Sequence, residues 1–329
     1  MVGVGIGELI LVALALAFAW SIGAHYTGAC MGMAFAMGAV RRGPALVGMA
    51  LLTFFGAALA SGRVVENVGL NLVASPSIPL AAAAVVVGSA FALTSLYNIV
   101  RVPTSTIQIL VFSLIGVALA IGIPIHAGTL AGMVAIWVSA PFVAFGLGFV
   151  LTRGFDRVAP HRAGGSPGAT TLMRAAPWLV VMGLIASFAM GANDVANATA
   201  VFVSTGVSTV LVAGIVGGIA LALGVVTWGS GLLATVAFDV VRLDRSMATA
   251  AQFSQALVIL SSVVFFGAFT SMNQALIGAM AGAGLARGRA TLRPRTLRGI
   301  LVGWALGPLS GLAMGAGAMT LVALVLPCL

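Results

Sequence analysis

The chain has 329 residues, of which 61% are hydrophobic and only 6% charged, and its mean hydropathy is +1.20. A water-soluble domain carries about 25% charged residues, so this composition excludes an aqueous globular fold and assigns the chain to a bilayer. The formal net charge of +9 does not indicate a nucleic-acid partner, because the fifteen basic residues are all arginines scattered between or at the edges of apolar runs.

Polar breaks divide the chain into ten apolar segments, at 9–40, 43–61, 78–100, 103–123, 128–152, 177–206, 208–232, 247–267, 270–286 and 299–326. A transmembrane helix needs roughly 20 apolar residues, and most of these segments meet that length. The N-terminus has no basic n-region and carries Glu8, so the first segment reads as a membrane span rather than a cleaved leader. That segment, holding His25, Tyr26 and Thr27, is too long for one simple span and has glycines near mid-depth. So is the sixth, whose helix start is read at Pro177. Both are expected to be broken helices, or a span plus a re-entrant piece. Arg101, just after the third segment, is read as a cytoplasmic flank. The fourth opens on Thr104-Ser105-Thr106-Ile107-Gln108, and the fifth carries Trp137 and Pro141.

The longest polar break runs from Arg153 to Arg174 and contains Asp156, His161, Arg162 and a Gly-Gly-Ser-Pro-Gly run. It reads as a cytoplasmic linker, 153–176, between a first membrane repeat at 1–152 and a second, inverted one at 177–329. In the second half, Gly191-Ala192-Asn193-Asp194-Val195-Ala196-Asn197-Ala198 lies in the sixth segment and Gln252 in the eighth. Thr270-Ser271-Met272-Asn273-Gln274 opens the ninth, and Trp304 and Pro308 lie in the tenth. Cys30 and Cys328 are far apart in apolar sequence and read as small buried residues. The cluster from Arg287 to Arg298 reads as an inside loop near anionic lipid.

Arginine placement orients the chain. With the N-terminus outside and ten crossings, the inside loops collect Arg41, Arg42, Arg101, Arg153, Arg157, Arg162, Arg174, Arg242, Arg245, Arg287, Arg289, Arg293, Arg295 and Arg298, and the outside loops collect Arg63 alone. Both termini are therefore expected outside a multi-pass cell-membrane protein. Five spans per half is odd, so the second half must enter from the opposite side. The halves also align. Gly23-Ala24 matches Gly191-Ala192, Gly38 matches Gly206 and Gly56 matches Gly224, all 168 residues apart. The Thr104–Gln108 element matches Thr270–Gln274 at 166, with Gly116 and Gly282 following. Trp137 and Pro141 match Trp304 and Pro308 at 167. The expected fold class is an all-α polytopic membrane protein of about ten segments in two inverted five-span repeats. Such repeats place a site at their interface near the midplane.

Asp194 is the strongest chemical signal. Gly191 lies 14 residues after Pro177, roughly 21 Å along a helix and well inside a core about 30 Å thick. A carboxylate at that depth costs at least ~2.5 kcal/mol unless a cation, a proton or a water-lined cavity compensates. Asn193 and Asn197 are four apart, so both offer oxygens on one helix face beside the acid. Packing explains the small residues of this motif but not the acid.

These residues resemble the signature of the inorganic phosphate transporter family, whose two repeats each carry a Gly-Ala-Asn-Asp motif. The Thr104–Gln108 and Thr270–Gln274 elements are similar to the family's second motif, of Pro-Val-Ser-Thr-Thr-His type. The resemblance spans nearly the whole chain. It implies a secondary transporter in which these elements surround an anion and its coupling cations. The chain departs from the pattern at several positions. His25-Tyr26 replaces the first Asn-Asp pair, Ala29 replaces the later Asn, Gln108 and Gln274 replace the closing histidines, and Gln252 replaces a glutamate.

With the polar residues on the same elements, the resemblance implies a substrate set of His25, Thr27, Ser105, Thr106, Asn193, Thr270, Ser271 and Asn273. The coupling-ion set is Asp194, Asn197, Asn193, Gln108, Gln274 and Gln252, with sodium at Asp194 and Asn197. The coupling ion is expected to be H⁺, Na⁺ or both, since His25 can carry a proton near its ordinary pKa of about 6.5. No other cofactor is expected, a homo-oligomer is left open, and no paired carboxylates, His/Cys metal spacing or P-loop points to an enzyme. Sulfate is fully deprotonated at neutral pH and suits donors without free carboxylates, whereas phosphate species retain protons that reward acceptors. Loss of the first-repeat Asp and the family glutamate favours sulfate, with a phosphate permease as the alternative. An ion channel or membrane scaffold is the alternative of another class.

Overall fold

The structure, a computed structural model, describes residues 5–65, 78–158, 169–204, 206–233, 243–288 and 294–325; the side chains of 169–175, 204 and 294–300 are outside that description. All regular structure in these residues is helical. The first predicted segment forms α1 (Ile6–His25) and α2 (Thr27–Ala36). Then come α3 (Arg42–Ala60), α4 (Leu80–Val100), α5 (Thr106–Ile121) and α6 (Ala127–Val158). The second half follows with α7 (Ala169–Ser204), α8 (Val210–Thr227), a 3₁₀ turn at Gly229–Gly231, α9 (Arg245–Phe266), α10 (Met272–Ala286) and α11 (Pro294–Val325). Among the described residues, eight helical stretches are long and apolar enough to cross a membrane. α5 and α10 have 16 and 15 residues, which gives lengths of about 24 and 23 Å against a hydrocarbon core of about 30 Å.

The two long segments behave differently. The first breaks at Tyr26, which leaves helical geometry at φ −95° and ψ 6°. The hydroxyl of Thr27 donates to the Ala24 carbonyl at 2.8 Å, competing with the main chain for that acceptor. The sixth was expected to break as well, and it does not: α7 is continuous from Ala169 to Ser204. The position matching Thr27 at the 168-residue separation is Val195, which has no hydroxyl to offer. Pro177 is not the helix start either, because it lies inside α7; a membrane helix can re-satisfy the one backbone acceptor that proline leaves unpaired. α6 runs to Val158 and α7 begins at Ala169, so helix occupies both ends of the expected 153–176 linker. Its Gly-Gly-Ser-Pro-Gly run lies outside the described residues.

Glycines let the helices meet backbone to backbone. A methyl on Gly23 would lie 2.0 Å from the Leu221 carbonyl oxygen, and one on Gly191 would lie 1.9 Å from that of Thr53. Gly56 stands in the same relation to Phe188 at 2.0 Å, and Gly224 to Trp20 at 1.8 Å. Each contact has a counterpart 168 residues away at both ends, so α1 against α8 repeats α3 against α7. Such small-residue seams are how helices associate where lipid removes the hydrophobic drive. The outer surface is apolar: Phe142, Phe265 and Phe266 are 73–75% exposed.

Within the basic cluster, Arg287 is held by acids. Its guanidinium donates to Asp156 at 2.9 and 2.5 Å, to Ser246 at 2.8 Å, and to Asp244. Asp244 also caps α9 by accepting from the Met247 N–H at 2.9 Å. The clasp therefore ties the end of α6 to the start of α9 and the end of α10. Burial pushes the Asp244 carboxyl up, but the Met247 N–H, the Ser246 hydroxyl and Arg287 outweigh it and hold it below the ordinary carboxylate range. Arg289 and Arg293 lie outside the described residues, as do the side chains of Arg295 and Arg298.

Candidate functional site

The site is built on two short helices that start inside the protein. α4 closes on Arg101, held left-handed at φ 57°, with its N–H bonded to the Asn98 carbonyl at 3.3 Å and that of Val102 to the Tyr97 carbonyl at 3.0 Å. α9 closes alike on Gly267 at φ 55°, where the Ala268 N–H bonds the Ser262 carbonyl at 3.1 Å. Glycine takes this conformation freely, while an L side chain such as that of Arg101 is strained by roughly 1–2 kcal/mol. From these caps the chain turns through Thr104-Ser105 into α5 and through Thr270-Ser271 into α10. All four of these residues, with Thr106 and Asn273, are at most 1% exposed. The first N–H groups of a helix have no partner within it, so two bundles of donors converge in the interior. The hydroxyls of Thr104, Ser105 and Thr270 have no hydrogen-bond partner.

Hydrogen bonds tie these starts to α1 and α7. Asn193 Nδ2 donates to the Thr270 carbonyl at 2.8 Å, and its Oδ1 accepts from the Thr270 N–H at 3.0 Å. Asn273 Nδ2 donates to the Thr104 carbonyl at 2.8 Å and approaches His25 Nε2 at 3.3 Å. Asp194 is fully buried, and its partners are two amides, Asn193 Nδ2 at 3.0 Å and Asn197 Nδ2 at 3.1 Å. Asn197 Nδ2 also reaches Thr106 Oγ1 at 3.3 Å, which bonds the Tyr26 hydroxyl at 3.0 Å. Three hydrogen bonds thus connect Asp194 to the break in the first segment. Asn197 Oδ1, beside the acid, has no partner.

The structure therefore brings together His25, Ser105, Thr106, Asn193, Asp194, Asn197, Thr270, Ser271 and Asn273. It leaves Thr27 aside, with its one O–H shared between the Ala24 and Gly229 carbonyls at 2.8 and 3.0 Å. Gln252 bonds the Ala29 carbonyl at 3.0 Å and Gln255 at 2.5 Å, and Gln255 bonds the Met272 carbonyl at 3.1 Å. Gln108 and Gln274 close on each other, each amide donating to the other's oxygen at 3.2–3.3 Å. They also line an apolar cavity of about 540 Å³ with Trp137, Phe145 and Trp304. An unpaired anion would be costly among such side chains, so that cavity is a poor oxyanion site. Sequence reasoning missed Asn98 and Gln255. Asn98 is an amide near the end of an apolar run, and Gln255 falls one helical turn after Gln252; either could have been found as a polar residue with no surface to face.

The sequence matches the profile of the phosphate transporter family twice, over residues 22–181 and 165–315. It is 29% identical over 310 residues to the sulfate permease CysP of Bacillus subtilis, covering 93% of this chain and 86% of that protein. It is 30% identical over 131 residues to the chloroplastic inorganic phosphate transporter 2-1 of Arabidopsis thaliana, an alignment covering 36% of this chain and 22% of that relative. The fold matches that of a solved sodium-dependent phosphate transporter, with a TM-score of 0.84, 21% identity and coverage of 97% of this chain and 99% of that one.

Proposed function

As this chain belongs to the phosphate transporter family, we propose that it is a secondary transporter that carries sulfate in preference to phosphate, driven by a proton or sodium gradient. The observation that carries the reading is the pair of buried helix starts, each opening on Thr-Ser, with hydroxyls at Thr104, Ser105 and Thr270 left without partners. Hydroxyls and helix N-termini favour an anion that needs donors. In this reading His25, Ser105, Thr106, Asn193, Thr270, Ser271 and Asn273 hold the oxyanion. Asp194 and Asn197, with Asn193, hold the cation; the unpartnered Asn197 Oδ1 supplies the kind of oxygen that sodium takes.

The preference for sulfate rests on what is missing around the site. Asp194 is its buried carboxylate, and the position related to it carries Tyr26. Few acceptors remain for a phosphate proton, while the donors remain for a dianion. The permease of Bacillus subtilis, aligned over 93% of this chain, supports the same choice. Bringing a dianion into a negative interior costs roughly 2.3 kcal/mol per charge per 100 mV, so at least two cations must accompany it. The arginine distribution supports inverted repeats with both termini outside.

The test is uptake of labelled sulfate into proteoliposomes of the purified protein, with an imposed sodium or pH gradient and unlabelled competitors. Uptake above equilibrium that sulfate competes away better than phosphate is expected. Stronger competition by phosphate would transfer the reading to phosphate, and uptake that never exceeds equilibrium would make the protein a channel.

A further inference from the structure

The hydrogen bonds around His25 have one fixed point. The Ser21 carbonyl can only accept, and it lies 2.9 Å from an amide atom of Asn98, which must therefore be Nδ2. The other amide atom, Oδ1, then faces His25 Nδ1 at 2.6 Å. A carbonyl oxygen only accepts, so Nδ1 must carry a hydrogen. The neutral ring is thereby left with its lone pair on Nε2. That atom lies 3.4 Å from the Thr104 N–H and 3.3 Å from Asn273 Nδ2, with the Thr104 carbonyl oxygen at 3.2 Å. Asn98 is 2% exposed and His25 is 7% exposed, so bulk water does not replace these partners.

We propose that Asn98 is a positioning residue that fixes His25 as the Nδ1–H tautomer and so makes Nε2, at the start of α5, the atom that takes and releases the coupling proton. This rests on the transport reading above and deepens it. With Nε2 bare, the ring accepts from the Thr104 N–H and from Asn273. When Nε2 gains a proton it becomes a donor and turns to the Thr104 carbonyl. The Thr104 N–H and one Asn273 N–H then lose their acceptor and are released toward an oxyanion, beside a new positive charge. Proton uptake and anion binding thus favour each other at one place, as linkage requires.

Few other charges bear on the ring. Tyr26 stands edge-on at 5.1 Å, Cys30 lies on α2, Asp194 lies on α7 and the exposed Arg101 caps α4, while α5, α8 and α10 carry no titratable residue. Glu8 is in the first turn of α1, at the opposite end of that helix.

The test is ¹⁵N NMR of histidine-labelled protein in which His126→Gln and His161→Gln leave His25 as the one signal, read beside the pH profile of sulfate uptake. The wild-type ring is expected as Nδ1–H at the alkaline end. Asn98→Asp should keep that tautomer and move the midpoint of the uptake profile about one pH unit or more upward, as a carboxylate beside an imidazolium does. Asn98→Leu should lose the tautomer preference and move the midpoint the other way. A wild-type ring found as Nε2–H overturns the proposal. So does an uptake midpoint that Asn98→Asp leaves in place while His25→Ala abolishes the pH dependence. If the tautomer is Nδ1–H and depends on Asn98, but His25→Ala transports with an unaltered pH profile, the assignment of Asn98 is upheld. The coupling role proposed here for Nε2 is then overturned, while the transport reading stands.

Discussion

Gly224→Ala tests whether backbone contact between α1 and α8 holds the two halves together. The added methyl would lie 1.8 Å from the Trp20 carbonyl oxygen, where ordinary contact begins near 3.4 Å, so the helices must separate by about 1.6 Å. The obstructing atom is backbone within a helix, and no rotamer change relieves it. Overpacking of a core costs about 1–3 kcal/mol, and a backbone clash belongs at the upper end. For a protein of this size a loss of about 3 kcal/mol lowers the melting temperature by about 5 °C. The control is Gly146→Ala in α6, where the methyl meets nothing within 4 Å and should gain up to about 1 kcal/mol of helix propensity. Thermal unfolding of both variants in detergent, followed by circular dichroism, checks the pair. If Gly224→Ala melts with the wild type or above it, the seam does not bear on stability and the reasoning fails.

Asp194→Asn should reduce gradient-driven sulfate accumulation at least about tenfold, the factor given by losing 1.4 kcal/mol of cation binding; the assay is proteoliposome uptake beside a melting curve confirming that the variant folds. The depressed Asp244 carboxyl contributes stability that is present above its ordinary value near 3.9 and is lost as pH falls through its lower folded value. Melting temperature measured from pH 7 to pH 3 should therefore fall at the acid end, and Arg287→Gln should start lower at pH 7 and lose less on acidification. Single cysteines placed at positions 165 and 291 should be labelled by impermeant reagents from the same, cytoplasmic side; labelling from opposite sides would refute the proposed topology.

Much of the fold was legible in the sequence. Apolar segments and their polar breaks predicted the helices in order, because a bilayer imposes hydropathy locally and without reference to partners. The ordered matches at 168 and 166 residues marked the repeat, and the matched Gly23, Gly191, Gly56 and Gly224 face backbone carbonyls while Gly38 and Gly206 meet nothing within 4 Å and have positive φ. Asp194 was legible because an acid in an apolar run is expensive wherever it packs. The break at Tyr26 and its absence in α7 were less so. One hydroxyl, Thr27 against Val195, accompanies the difference, and only its contact with Ala24 reveals the role.

What the sequence determined by itself is what depends on one residue and its near neighbours: membrane class, segment order, the two repeated motifs and the buried acid. The tertiary structure alone decided the rest. It closed Gln108 on Gln274 across 166 residues, paired Arg287 with Asp156 and Asp244, and withdrew Thr27 from the site. It also set Asn98 against His25 across 73 residues, with Ser21 fixing which way the amide points. A buried polar group must find a partner in the interior, and which partner it finds depends on the faces that separate helices present to one another. No stretch of sequence carries that information, because it belongs to the packing.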